Sequence, residues 1–162
     1  MERIRDATPA DFRRINDIYN WTIVDNHVSF DTEPFDLERR RGWWDARGPE
    51  LSCLVAEDDG RVVGVTYSST YRPKVAYRSS VETTIVLDVE HLGRGLGSRL
   101  LGALLDRLRE QEVHLAVAIV ALPNDASTAL HRSLGYRSVG VLHEVGFKLG
   151  RHWDTEIFEL RL

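Results

Sequence analysis

The sequence is poor in the residues that staple or metallate small proteins. Cys53 is the only cysteine in 162 residues, so no disulfide can close within the chain. That suits a reducing compartment, and the expected location is the cytoplasm. Six histidines are present, yet none sits in a His-Glu-x-x-His or similar ligand spacing, so no metal is expected. No apolar run approaches the roughly eighteen residues of a membrane span. Basic residues are not in excess: the net charge is −4, which gives no global footprint for nucleic acid. The first residues, Met1 to Asp6, are charged and lead straight into a strand-like pattern, so no signal peptide is expected. Repeats, low-complexity tracts and linkers are absent. The expectation is one soluble domain over residues 1–162, with enough length for a real core.

What is present reads as a mixed α/β sheet. Residues 4–7 suggest a first strand. Thr8-Pro9-Ala10-Asp11 suggests a helix start, with Thr8 as N-cap and Pro9 in the first turn. Asp36 caps a second helix that Gly48-Pro49 ends. Strands over 52–57 and 62–67 flank Asp59-Gly60, a hairpin signal. Residues 71–80 form a basic, aromatic loop before a strand over 81–89. Leu96, Leu100, Leu101, Leu104, Leu105 and Leu108 mark one helical face. A short apolar strand follows over 116–120. Asn124 caps a further helix that Gly135 ends, and strands over 136–142 and 155–160 complete the order β-α-α-β-β-β-α-β-α-β-β.

His91-Leu92-Gly93-Arg94-Gly95-Leu96-Gly97-Ser98 joins a strand to the leucine-rich helix. Such a junction can seat an anion, because helix N-terminal N–H groups point outwards and glycines admit a close approach. The Walker pattern is excluded, since no lysine precedes Ser98. The dinucleotide pattern is excluded too, since one residue rather than two separates Gly95 from Gly97. By themselves the glycines leave a ligand-free joint open.

The wider arrangement resembles the GNAT superfamily of acetyl-CoA-dependent N-acetyltransferases. It carries a strand, the glycine loop, the long helix, then Asn124 with Leu130-His131 and Leu134-Gly135-Tyr136. More narrowly, nearly the whole chain is similar to the phosphinothricin and methionine sulfoximine acetyltransferases. That likeness rests on Phe30 with Thr32-Glu33-Pro34, on Val81-Glu82-Thr83-Thr84 and on Leu122-Pro123-Asn124-Asp125. It rests also on Gly146-Phe147-Lys148 and Trp153-Asp154. One departure is Leu92, where the superfamily usually has Gln or Arg.

The resemblance implies a mostly antiparallel sheet that splays beside the Glu82 strand, flanked by helices. It implies acetyl-CoA in the gap, with pantetheine along Ile85, Val86 and Leu87. The pyrophosphate would lie on Gly93, Arg94, Gly95, Leu96, Gly97 and Ser98, with Asn124 near the pantetheine. It implies a homodimer and a small amino acid substrate contacted by Phe30, by Arg72-Pro73-Lys74 and by Glu82, Thr83 and Thr84. Val86 or a neighbour would offer the N–H that meets the developing oxyanion.

Glu82 is the candidate base. Strand alternation puts it with Thr84 and Val86, opposite Val81, Thr83 and Ile85. A glutamate in mid-sheet is costly without a partner or a task. An ammonium substrate must lose a proton before its nitrogen can attack. His131 is either an acid towards the coenzyme thiolate or a helix-surface histidine. Phe30 is either an apolar substrate wall or a core anchor. Two other functions fit the residues: acetylation of a peptide or other amine, and a non-catalytic acyl-CoA sensor.

Overall fold

The computed structural model describes residues 2–162. Strands β1 (Arg3–Asp6), β2 (Cys53–Asp58), β3 (Arg61–Thr70), β4 (Ser80–Leu87), β5 (Leu115–Ala121), β6 (Arg137–Lys148) and β7 (Arg151–Arg161) form one sheet in the order β1-β2-β3-β4-β5-β7-β6. Every pairing is antiparallel except β4 with β5. Helices α1 (Phe12–Trp21) and α2 (Leu37–Asp45) cover one face. Helices α3 (Leu96–Glu110) and α4 (Asp125–Ser133) cover the other.

Period-two alternation divides the core. Leu54, Ala56, Val63 and Val81 point to α3, whose Leu100, Leu101, Leu104, Leu105 and Leu108 are fully buried. Each such leucine contributes about 1.5–3 kcal/mol by leaving water. Cys53, Val55, Val65, Tyr67 and Val86 point to α1 and the Trp43-Trp44 pair of α2. No helix among the described residues is long and apolar enough to cross a membrane.

Local chemistry explains most element ends. Thr8 and Asp11 form a capping box before a short 3-10 turn that leads into α1. The Asp36 carboxylate accepts the Arg39 N–H at 2.7 Å at the start of α2. At the β2–β3 turn both Asp59 and Gly60 have positive φ, as a tight two-residue hairpin needs.

Two expectations change. Strand β4 stops at Leu87 rather than Val89, because Asp88 accepts the Glu90 N–H at 3.2 Å and begins a 3-10 turn. Strands β6 and β7 reach much further, to Lys148 and back from Arg151, around a Leu149-Gly150 turn with positive φ at both residues. Leucine is a poor signal for such a turn. The β6 register also shifts between Leu142 and Gly146. Asp154 stabilises that bulge, accepting the Glu144 N–H at 2.7 Å and pairing with His143 at 2.9 Å.

Candidate active site

Strands β4 and β5 pair over only three positions, the last being Glu82 with Val117. Beyond it, β4 follows β3 as far as Leu87 opposite Gly64, while β5 follows β7 as far as Ala121 opposite Thr155. A wedge therefore opens immediately after Glu82. Register fixes which groups face it. The Asp88 N–H bonds Val63 O at 2.9 Å, so even-numbered residues of β4 direct their backbone polar groups to β3. The amides of Ile85 and Leu87 turn into the wedge. The amide of Val86 is committed to β3, so of the amides around Val86 those of Ile85 and Leu87 are the ones open to a ligand.

The glycine loop stands at the mouth of this wedge. Gly93 and Gly95 have φ of +74° and +73°, and Gly95 is the N-cap of α3. With no capping side chain, the N–H groups of Leu96, Gly97 and Ser98 have no intrahelical acceptor. Gly97 is needed for packing instead: a Cβ there would lie 3.3 Å from Leu130 of α4 and 3.4 Å from Leu87. Arg94 and Leu92 are both exposed. Across the mouth, Asn124 Oδ1 accepts the Ser127 N–H at 3.1 Å, and its Nδ2 is uncommitted among the described residues.

Glu82 is half-buried on the α1/α2 face with Thr84 and Val86. Burial raises its carboxyl above the ordinary value, and the charge of Arg72 partly opposes that rise. No hydrogen bond or ion pair ties the carboxylate to another described residue. Arg72, Pro73 and Lys74 are exposed, and the Arg72 charge reaches Glu82. Thr83 does not join this group by its side chain. It is buried on the opposite face, with Oγ1 2.8 Å from the Tyr136 hydroxyl and 3.3 Å from Val117 O. That contact locks β4 to the core where the wedge begins.

Residues 15–136 match the acetyltransferase (GNAT) family. The chain belongs to that family. This GNAT chain is 39% identical to a phosphinothricin N-acetyltransferase of Streptomyces coelicolor, over 97% of its own length and 94% of the relative's. It is 38% identical to an L-methionine sulfoximine/L-methionine sulfone acetyltransferase of Pseudomonas paraeruginosa, covering 98% and 94%. Among solved structures it superposes on a phosphinothricin acetyltransferase of Sinorhizobium meliloti in complex with acetyl-CoA. There the TM-score is 0.95 at 31% identity, covering 99% of this chain and 88% of the other.

His131 does not lie on the helix surface. It is 3% exposed, stacked on Phe158 and edge-on to Tyr136. Nδ1 lies 2.8 Å from Ser127 O, an acceptor, so Nδ1 carries the hydrogen. Burial lowers its pKa, against the hydrogen bond to Ser127 O that favours the charged ring.

A polar cluster on the sheet face that also carries Glu82 is not legible in the sequence as a site. On the α1/α2 face the Tyr19 hydroxyl donates to Asp31 at 2.6 Å. Arg40, 1% exposed, donates to Asn16 at 2.7 Å and lies over the rings of Phe35, Trp43 and Tyr19. Tyr67, opposite Thr84 in the sheet, is buried against them. In the sequence Tyr19 and Tyr67 fit the core pattern of a helix and a strand, and only packing brings their hydroxyls to the Glu82 side.

Phe30 is 38% exposed, and its ring occupies the space in front of Gly146. A Cβ at Gly146 would stand 2.2 Å from that ring, so one edge of Phe30 is anchored on β6 while the rest stays open. Gly146→Ala should displace the ring while leaving the core intact. The expected result is a several-fold change in KM for the amine substrate, with Tm within about 2–4 °C of the parent. A drop in Tm far beyond that, with KM unchanged, would show that Phe30 serves packing alone.

Proposed function

We propose that this chain transfers the acetyl group of acetyl-CoA to the α-amino group of a small amino acid whose side chain carries a tetrahedral sulfur or phosphorus head, as in methionine sulfoximine or phosphinothricin. The observation that carries this reading is Glu82: a half-buried carboxylate without a protein partner, on the strand position where the sheet opens. Its raised pKa suits a base that takes the ammonium proton, directly or through water. The freed lone pair attacks the thioester carbonyl, and the thiolate of coenzyme A leaves. The amides of Ile85 and Leu87 supply edges for the pantetheine arm and a donor for the carbonyl oxygen. The open N-terminus of α3, with Arg94, suits the pyrophosphate. Asn124 Nδ2 is available to the pantetheine. Arg72 and Lys74 suit the carboxylate and the oxygens of the tetrahedral head.

A homodimer belongs to the same proposal. Strand β6 is the sheet edge and exposes Val139, Val141, Leu142, Val145 and Phe147, with Leu149 beyond it. A long apolar edge invites a second copy of the chain. Sedimentation velocity should give a dimer, and Val141→Lys with Val145→Lys should give a monomer. A wild-type monomer at micromolar concentration would remove this part.

The function is tested by thiol release from acetyl-CoA with phosphinothricin, methionine sulfoximine, methionine sulfone, ordinary amino acids and an alanyl peptide. Turnover should be fastest with one of the first three. Turnover of the peptide alone would replace the substrate class, and no thiol release with any amine would leave an acyl-CoA sensor.

A further inference from the structure

The loop over residues 26–31, which carries Phe30, is fastened to the far half of the sheet. His27 Nε2 lies 2.8 Å from Pro123 O. A carbonyl oxygen only accepts, so Nε2 carries a hydrogen and donates it. The His27 ring stacks on Trp153 with centroids 4.3 Å apart and planes 12° from parallel. Trp153 is itself held, since its Nε1–H donates to Lys148 O at 2.8 Å and the Arg151 guanidinium lies 4.2 Å from its ring centre. Lys148 Nζ then donates to Ser29 O at 2.7 Å, on the same loop. The stack leaves the imidazole one plane, and in that plane its N–H meets Pro123.

Pro123 immediately precedes Asn124, the N-cap of α4 at the mouth of the wedge. On the other side of this turn the Leu122 N–H is bound to Asp154 O at 2.9 Å. The segment 122–124 is thus held between β7 and His27. Through one side chain, the loop facing the amine meets the turn facing the coenzyme.

We propose that His27 is a positioning residue that couples the amino acid side of the cleft, loop 26–31, to the coenzyme side, Pro123–Asn124. This rests on the acetyl-CoA reading above. A ligand that orders residues 122–124 fixes the acceptor of the His27 hydrogen bond, and so meets part of the ordering cost of the loop. The second ligand then binds a loop already in place. Such coupling is reciprocal, so an amino acid that orders the loop must tighten coenzyme binding by the same factor.

Two variants separate the parts. His27→Phe keeps a flat ring on Trp153 and removes the donor. His27→Gln keeps a donor and removes the ring. Hydrogen exchange of the amides of residues 26–31 is measured with and without coenzyme A alone, which needs no amine substrate. Coenzyme A should slow exchange there about fivefold or more in the wild type, not at all in His27→Phe, and to an intermediate degree in His27→Gln. A role confined to stability would lower Tm and leave the coenzyme A effect intact. Equal protection in wild type and His27→Phe, or none in wild type, overturns the coupling. The affinity for methionine sulfoximine, compared with and without saturating coenzyme A, should show the same loss of coupling in His27→Phe. If coenzyme A protects the loop but methionine sulfoximine never binds, the coupling stands and the substrate class falls. If coenzyme A fails to bind the wild type, the acetyl-CoA reading and the coupling fall together.

Discussion

Glu82→Gln should lower kcat by about 10²–10⁴-fold, the usual contribution of a positioned general base, and leave coenzyme A affinity nearly unchanged. Its effect on pH dependence has a definite sign. Burial lifts the Glu82 carboxyl above its ordinary value, and Arg72 pulls it part of the way back. A base must be deprotonated to act, so with Glu82 in that role the acid limb of kcat/KM should lie above the ordinary glutamate value. Arg72→Ala removes the opposing charge and should move that limb to higher pH. Stability follows the same shift. The folded protein holds the Glu82 proton more tightly than the unfolded chain, so the stability this gives is present at low pH. It is lost as pH rises from the unfolded value through the raised folded value. Glu82→Gln should therefore gain Tm over wild type at pH 8 and show little gain at pH 4. Wild-type turnover in Glu82→Gln across the pH range would remove the base assignment.

The second large effect is expected at the glycine loop. At Gly95 the nearest atom to an added Cβ is the Arg99 guanidinium, at 3.5 Å, an ordinary contact. The cost there is backbone conformation: φ is +73°, and a non-glycine residue adopts that region at about 1–2 kcal/mol. Valine, branched at Cβ, should instead pull the loop out of the left-handed region and turn the free N–H groups of α3 away from the ligand. Gly95→Val should weaken coenzyme A binding at least about tenfold, equal to roughly 1.4 kcal/mol. Turnover at saturating acetyl-CoA should change far less. Gly102 provides the contrast. It lies within α3 with nothing within 4 Å of an added Cβ, so Gly102→Ala should raise Tm and leave coenzyme binding alone. Calorimetric titration with coenzyme A measures both. Unaltered binding by Gly95→Val would mean that the loop is a joint and not a phosphate seat.

The same loop shows how far sequence alone reaches. Spacing excludes two nucleotide patterns, and position before the leucine helix marks a helix N-terminus. That three glycines serve two purposes, positive φ at Gly93 and Gly95 but close packing on Leu130 at Gly97, needs the neighbouring helix in place. The burial of His131 is hidden from the sequence for a related reason. Its spacing with Asn124 and Ser127 draws a polar stripe, but the helix also turns that position onto Phe158 and Tyr136. The hairpin of β6 and β7 was half legible, because a bulge at residues 142–146 breaks alternation and Leu149 occupies a turn position that usually takes glycine or asparagine.

Local chemistry in the sequence determined the element order, the helix caps at Thr8, Asp36 and Asn124, and the two-sided β4 strand. Each follows from side-chain periodicity or from hydrogen bonds within a few residues. Only the tertiary structure decided where β4 leaves β5, which amides face the wedge, that Thr83 points away from Glu82, and that His27 reaches Pro123 across 96 residues of chain. Those depend on register and packing between segments distant in sequence, where no local pattern carries the information.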